Sequence, residues 1–170
     1  MATTAAEAMH EQPSRPSTSV AVFFDLSGLP GWGSEPDVTD PDTSTILERH
    51  VSPGGEVRLV RGCTALAVFP GVTASLRAAT ALLSEAQGTS GSVTAGAHAT
   101  ELTHDDIVPD SVPARIAAAL AQLADANRLL VTGDLLRGFP PDRWSSWSFD
   151  PGPTARFGDS PLATFSIRRS

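Results

Sequence analysis

At 170 residues, 41% hydrophobic but only 6% aromatic and without Tyr, the chain can bury one aliphatic core and form one domain. Its net charge of −7, with no arginine run longer than Arg168-Arg169, argues against nucleic acid as a partner, and its single cysteine excludes an internal disulfide framework. No apolar run approaches the roughly 20 residues of a membrane helix and no basic-then-apolar leader opens the chain, so the expected location is the cytoplasm; 12 arginines and no lysine suggest a GC-rich, bacterial coding sequence.

Residues 1–18 are rich in Ala, Thr, Ser and Pro without periodicity and read as a disordered leader, followed by one domain over residues 19–170. Val20 to Phe24 is a continuous apolar run of strand length, the pattern of a central strand buried on both faces, with Asp25 at its end. Leu29 to Thr43 mixes Gly, Pro and acids and reads as a loop, leaving a short helix over Thr45 to Val51. Glu56 to Arg61 and Ala65 to Phe69 form a hairpin around Gly62-Cys63-Thr64. Leu76, Ala79, Leu82 and Leu83 recur at helical spacing in Val72 to Gln87, and Ile116, Leu120 and Leu123 do so in Pro113 to Asp125. Strands are expected at Ser92 to Ala97, from Leu129, over Trp144 to Phe149 and over Leu162 to Ile167, with a short helix over Thr132 to Arg137. Interleaved strands and helices predict an α/β sandwich with the helices on one side of a mixed sheet.

Two segments carry chemistry. Val20 to Gly28 reads VAVFFDLSG, and Gly54 to Pro70 reads GGEVRLVRGCTALAVFP. They resemble the metal-site strands of the class III adenylate/guanylate cyclase homology domain, F-x-D-I-x-G-F-T and G-G-E-V-x-K-x-x-G-D-x-x-x-A-x-F. GAHATEL at Gly96 to Leu102, NRLLVTGDLL at Asn127 to Leu136 and the tail PLATFSIRR resemble three further segments of that family. The resemblance implies a ferredoxin-like α+β fold with a mixed, mostly antiparallel sheet.

It also implies where the reaction's groups should stand. The family binds two divalent ions with two aspartates and uses them for an in-line displacement at a triphosphate. Asp25 stands at the first of these positions and Cys63 at the second; a soft thiol is a poor ligand for Mg²⁺ or Mn²⁺, which prefer oxygen. Leu59 stands at the base-reading Lys position and Asp106 at its acidic partner, while Pro113 and Ala117 stand at the transition-state Asn and Arg positions. Arg115 lies two residues before the Arg position, on another helix face. The Gly28 to Gly54 segment is shorter than the family's, with Pro30 in place of a Thr.

Other residues carry milder readings. Cys63 lacks a basic neighbour other than Arg61 and reads as an inert side chain. His98 and His104 have no zinc-ligand spacing, the Glu35 to Asp42 loop lacks the glycine and terminal Glu of a calcium loop, and Asp105, Asp106 and Asp110 suit a solvated loop as well as a purine contact.

The sequence thus predicts a catalytically inactive cyclase homology domain acting as a binding, dimerisation or regulatory module. Its metal candidate is Asp25 and its nucleotide candidate Asp106. No cofactor is expected, and the partner is a protein or a second copy. Two alternatives remain: a low-activity adenylate or guanylate cyclase using Mg²⁺ or Mn²⁺, alone or as half of a heterodimer, and a structural interaction protein with a closed pocket.

Overall fold

A computed structural model describes residues 18–29 and 41–169. Residues 1–17 of the expected 1–18 leader and residues 30–40 of the expected 29–43 loop lie outside the described residues. Strand β1 (Ser19–Gly28) is followed by helix α1 (Pro41–Val51), the hairpin β2 (Glu56–Arg61) and β3 (Thr64–Phe69), helix α2 (Val72–Gly88) and strand β4 (Ser92–Thr100). Helix α3 (Val112–Leu123), strand β5 (Arg128–Thr132), helix α4 (Gly133–Arg137), and strands β6 (Trp147–Pro151), β7 (Ala155–Phe157), β8 (Ser160–Leu162) and β9 (Thr164–Arg169) complete the chain.

The main sheet has seven strands in the order β2-β3-β1-β4-β5-β9-β6. All neighbours are antiparallel except β4 and β5, so the sheet is mixed and mostly antiparallel, as the sequence predicts. The segment β1-α1-β2-β3-α2-β4 with the strand order β2-β3-β1-β4 is a ferredoxin-like unit. No helix among the described residues is long and apolar enough to cross a membrane.

β1 reads as an unbroken apolar run because both its faces are buried. Val20, Val22, Phe24 and Leu26 point into a core shared with Leu47 and Val51 of α1 and with Leu76, Ala79, Leu82 and Leu83 of α2. Ala21 points the other way, into a second cluster with Leu66, Val68, Ile107, and Ala114 and Ala117 of α3. The two long helices therefore cover opposite faces of the sheet, whereas the sequence analysis placed both on one. The parallel pairing of β4 with β5 requires a crossover, which α3 supplies, and α1 and α2 already occupy the first face. Gly96 makes room for α3 on the second: a Cβ there would lie 2.7 Å from the Leu120 Cβ and nearer still to the Ala117 carbonyl and Ala121 amide.

Three other elements differ from expectation. α1 begins at Pro41, inside the segment read as loop; the fixed φ of proline suits a first helical turn. Pro141–Ser146 forms a 3-10 turn, so the strand expected from Trp144 starts at Trp147, consistent with the restriction that Pro140-Pro141 places on the preceding backbone. The strand expected over Leu162 to Ile167 is split at Ala163: β8 pairs with β7 around a Gly158 turn at φ +60°, while β9 joins the main sheet.

Candidate functional site

The two strands singled out by sequence do meet. Asp25 is the Cα partner of Thr64, and the Leu26 amide donates to the Cys63 carbonyl at 2.8 Å. Cys63 is half-buried in the two-residue connection between β2 and β3, where Gly62 takes the positive φ of +55°. The Asp25 carboxylate accepts a hydrogen bond from the Ser27 amide at 3.0 Å, which turns the chain as β1 shifts register against β4 between Asp25 and Gly28. Gly28 then passes too close to Ser92 for any side chain: a Cβ would lie 2.5 Å from the Ser92 carbonyl and closer to its hydroxyl.

Asp25 and Cys63 are thus neighbours at one end of the sheet. Their donors are one carboxylate and one thiol. Among the described residues no group of three or more His, Cys, Asp or Glu side chains is placed to hold a metal ion, and a single oxygen-donor residue beside a soft sulfur does not fit a pair of hard divalent ions.

Leu59 lies half-buried in β2, packed against the second core cluster. Asp106 sits in a 3-10 turn over His104–Asp106, exposed, with its Oδ2 accepting from the Thr103 hydroxyl at 2.6 Å. Between them stands a residue the sequence analysis did not select, Arg58. The β2–β3 register passes from Val57↔Ala67 to Leu59↔Leu66, so Arg58 is the extra residue of a β-bulge. Its guanidinium lies 3.2 Å from Glu56, donates to the His104 carbonyl at 3.2 Å, and reaches Asp105 at 3.5 Å; His104 Nε2 in turn lies 3.0 Å from Glu56. The signal was present: Val57 and Val60 are three apart, not two, yet both pack on the first core, a spacing that a regular strand cannot give.

Pro113 and Ala117 are buried where α3 meets the sheet, Ala117 completely. Arg115 is exposed and its guanidinium sits over the Phe157 ring at 5.5 Å, so it faces β7 as its helical phase predicts. His98, in β4, holds its Nδ1 2.9 Å from the Thr132 hydroxyl, and burial pushes its pKa below the ordinary histidine value; it is a packed, neutral side chain.

Leu66 and Val68 of β3 are buried inside the domain against α3 and Ile107 and offer nothing to a second copy. Leu102, Val108 and Val112 are the large apolar side chains exposed around the turn that precedes α3.

No protein-family model and no curated protein matches the sequence. Solved structures match its fold. An adenylate cyclase of Trypanosoma brucei in its monomeric state superposes with a TM-score of 0.67 at 13% identity, 91% of each chain being covered. The adenylate/guanylate cyclase/hydrolase of Silicibacter pomeroyi gives 0.65 at 17% identity, over 89% of this chain and 96% of that one. The guanylate cyclase domain of RhGC from Catenaria anguillulae, solved in complex with GTP, gives 0.63 at 11% identity, over 91% and 98%. The chain has the fold of class III adenylate and guanylate cyclase domains.

Proposed function

We propose that this chain is a nucleotide cyclase homology domain without cyclase turnover, working in the cytoplasm as a dimerisation or regulatory module. The observation that carries the reading is the neighbour of Asp25: across the β1–β3 end stands Cys63, where a second carboxylate would be needed for two divalent ions. Two further features support it. Pro113 and Ala117 are packed under α3 rather than presented to a cleft, and Arg58, the cation nearest Leu59 in the chain, is engaged with Glu56, the His104 carbonyl and Asp105. Loss of one charge-stabilising donor typically slows a reaction about 10²- to 10³-fold, and here several are replaced together.

A domain of this kind acts through what it touches. Leu102, Val108 and Val112 supply an exposed apolar surface around the turn that precedes α3, and a surface of that character suits a second copy or a related domain. The test is direct. The purified chain, incubated with ATP or GTP and Mg²⁺ or Mn²⁺, is expected to form no cyclic nucleotide; turnover above a blank that Asp25→Ala abolishes would overturn the reading.

A further inference from the structure

Seen in three dimensions, the arginines are not scattered. Arg77, Arg143 and Arg169 line one cavity of about 240 Å³, and Arg128, Arg168 and Arg169 line a neighbouring one of about 360 Å³. The two share Arg169 and lie between α2 and the end of β9. We propose that this groove binds a soluble oligophosphate, a small molecule carrying several phosphate groups.

The first argument is the state of the guanidinium groups. Elsewhere in the fold four arginines are matched, Arg49 with Glu85, Arg58 with Glu56, Arg137 with Asp134, and Arg115 with the Phe157 ring, while Arg61 and Arg156 are exposed and unmatched among the described residues. Among the described residues, none of the five arginines that line the two cavities has a side-chain ion pair, hydrogen bond or ring contact, although the chain holds 19 acids and Asp142 lines one of the cavities. Gathering unpaired like charges opposes folding through mutual repulsion, and within a chain of net charge −7 it creates a local positive field that an anion would relieve.

Shape is the second argument. Thr73, Arg77, Thr80, Ser84 and Gln87 recur at alternating spacings of four and three along α2, so they share one helix face that forms a wall of both lobes. From Thr73 to Gln87 that wall runs about 21 Å at 1.5 Å per residue. Arg169 pairs opposite Trp147 and lies on the same side of β9 as the buried Ile167, hence toward α2. An elongated groove with arginines at both ends and hydroxyl and amide groups between them fits several phosphates in a row, each taken by a planar guanidinium fork. The small lobes and the overall acidity disfavour a long polyanion, which would run onto repelling surface.

The groove involves neither Asp25 nor Cys63, so it stands or falls apart from the reading of that site. Isothermal titration of the full-length chain with inorganic tripolyphosphate, at about 0.15 M salt and with chelator to exclude divalent ions, is expected to show saturable binding that Asp25→Ala leaves intact. Arg77→Gln with Arg169→Gln should weaken it about tenfold or more, the loss expected for charged hydrogen bonds. Arg61→Gln with Arg156→Gln removes the same charge from arginines outside the groove and should change affinity less than about twofold. All four positions are exposed, and circular dichroism checks that both pairs fold. Absence of binding at millimolar tripolyphosphate, or equal loss in the two variants, would overturn the proposal. So would binding confined to phosphatidylcholine vesicles carrying phosphatidylinositol bisphosphate, or confined to a single-stranded oligonucleotide.

Discussion

Gly96→Ala probes the packing of α3 on the second face of the sheet. The added methyl would meet the Leu120 Cβ at 2.7 Å and, closer still, the Ala117 carbonyl and the Ala121 amide. Two of these three atoms belong to helix backbone and cannot rotate away, so either α3 lifts from β4 or the strand bends. Overpacking of a filled core costs about 1–3 kcal/mol, and backbone contacts put this substitution near about 3 kcal/mol. For a domain of this size that corresponds to a melting temperature lower by about 6–12 °C. Urea unfolding followed by tryptophan fluorescence, with a thermal melt beside it, measures both quantities. Gly88→Ala is the control: it lies at the end of α2 with nothing within 4 Å of the new Cβ, and should be neutral or stabilising by up to about 1 kcal/mol. If Gly96→Ala and Gly88→Ala unfold within about 0.5 kcal/mol of each other, the precision expected for unrelated surface changes, α3 does not lie where the structure puts it.

Cys63→Asp places a second carboxylate beside Asp25 and should raise Mn²⁺ binding, measured by titration, without producing cyclic nucleotide, because Leu59, Pro113 and Ala117 remain; turnover in this single variant would show that those positions are dispensable. Glu85 is held below its ordinary pKa of 4.5, chiefly by its hydrogen bond to His50, with Arg49 also contributing. Its stabilisation is therefore present above about pH 4.5 and lost as pH falls through the lower folded value, so Glu85→Gln should flatten the acid limb of a stability-versus-pH curve; an unchanged limb refutes the linkage. His98, kept neutral by burial, should titrate below the ordinary histidine range when followed by NMR, and stability should fall as the unfolded chain takes up that proton below about pH 6.5; a normal titration would contradict its packing against Thr132. Val108→Glu with Val112→Glu should shift light scattering toward monomer if the apolar surface before α3 joins two copies, and identical masses for variant and parent would remove that surface from the interface.

Much of this architecture is written locally. The apolar run of β1 and the helical spacing in α2 follow from patterns a few residues long, while the meeting of Asp25 with Cys63 was implied by the resemblance of their two segments to the cyclase family's metal-site strands. What escaped is non-local or depends on parity. The side of the sheet taken by α3 is decided by the parallel pairing of β4 with β5 and by the space over Gly96, neither visible in the helix's own sequence. Alternation in β3 gives Leu66 and Val68 a shared face but not its occupant, which proves to be Ile107 and α3. Arg58 was passed over because a bulge changes which residues share a face. The arginine groove joins residues 77, 128, 143, 168 and 169, which form no run longer than two in the chain.

The bulge at Arg58 also bears on how copies of this protein can meet. β2 and β6 are the outer strands of the main sheet, and an outer strand with a regular row of free amides and carbonyls invites another chain to add itself. On β2 the extra residue interrupts that row and places a charged side chain in it; on β6 the strand ends at Pro151, which has no amide to offer. Each border thus carries a feature that disfavours open-ended strand addition.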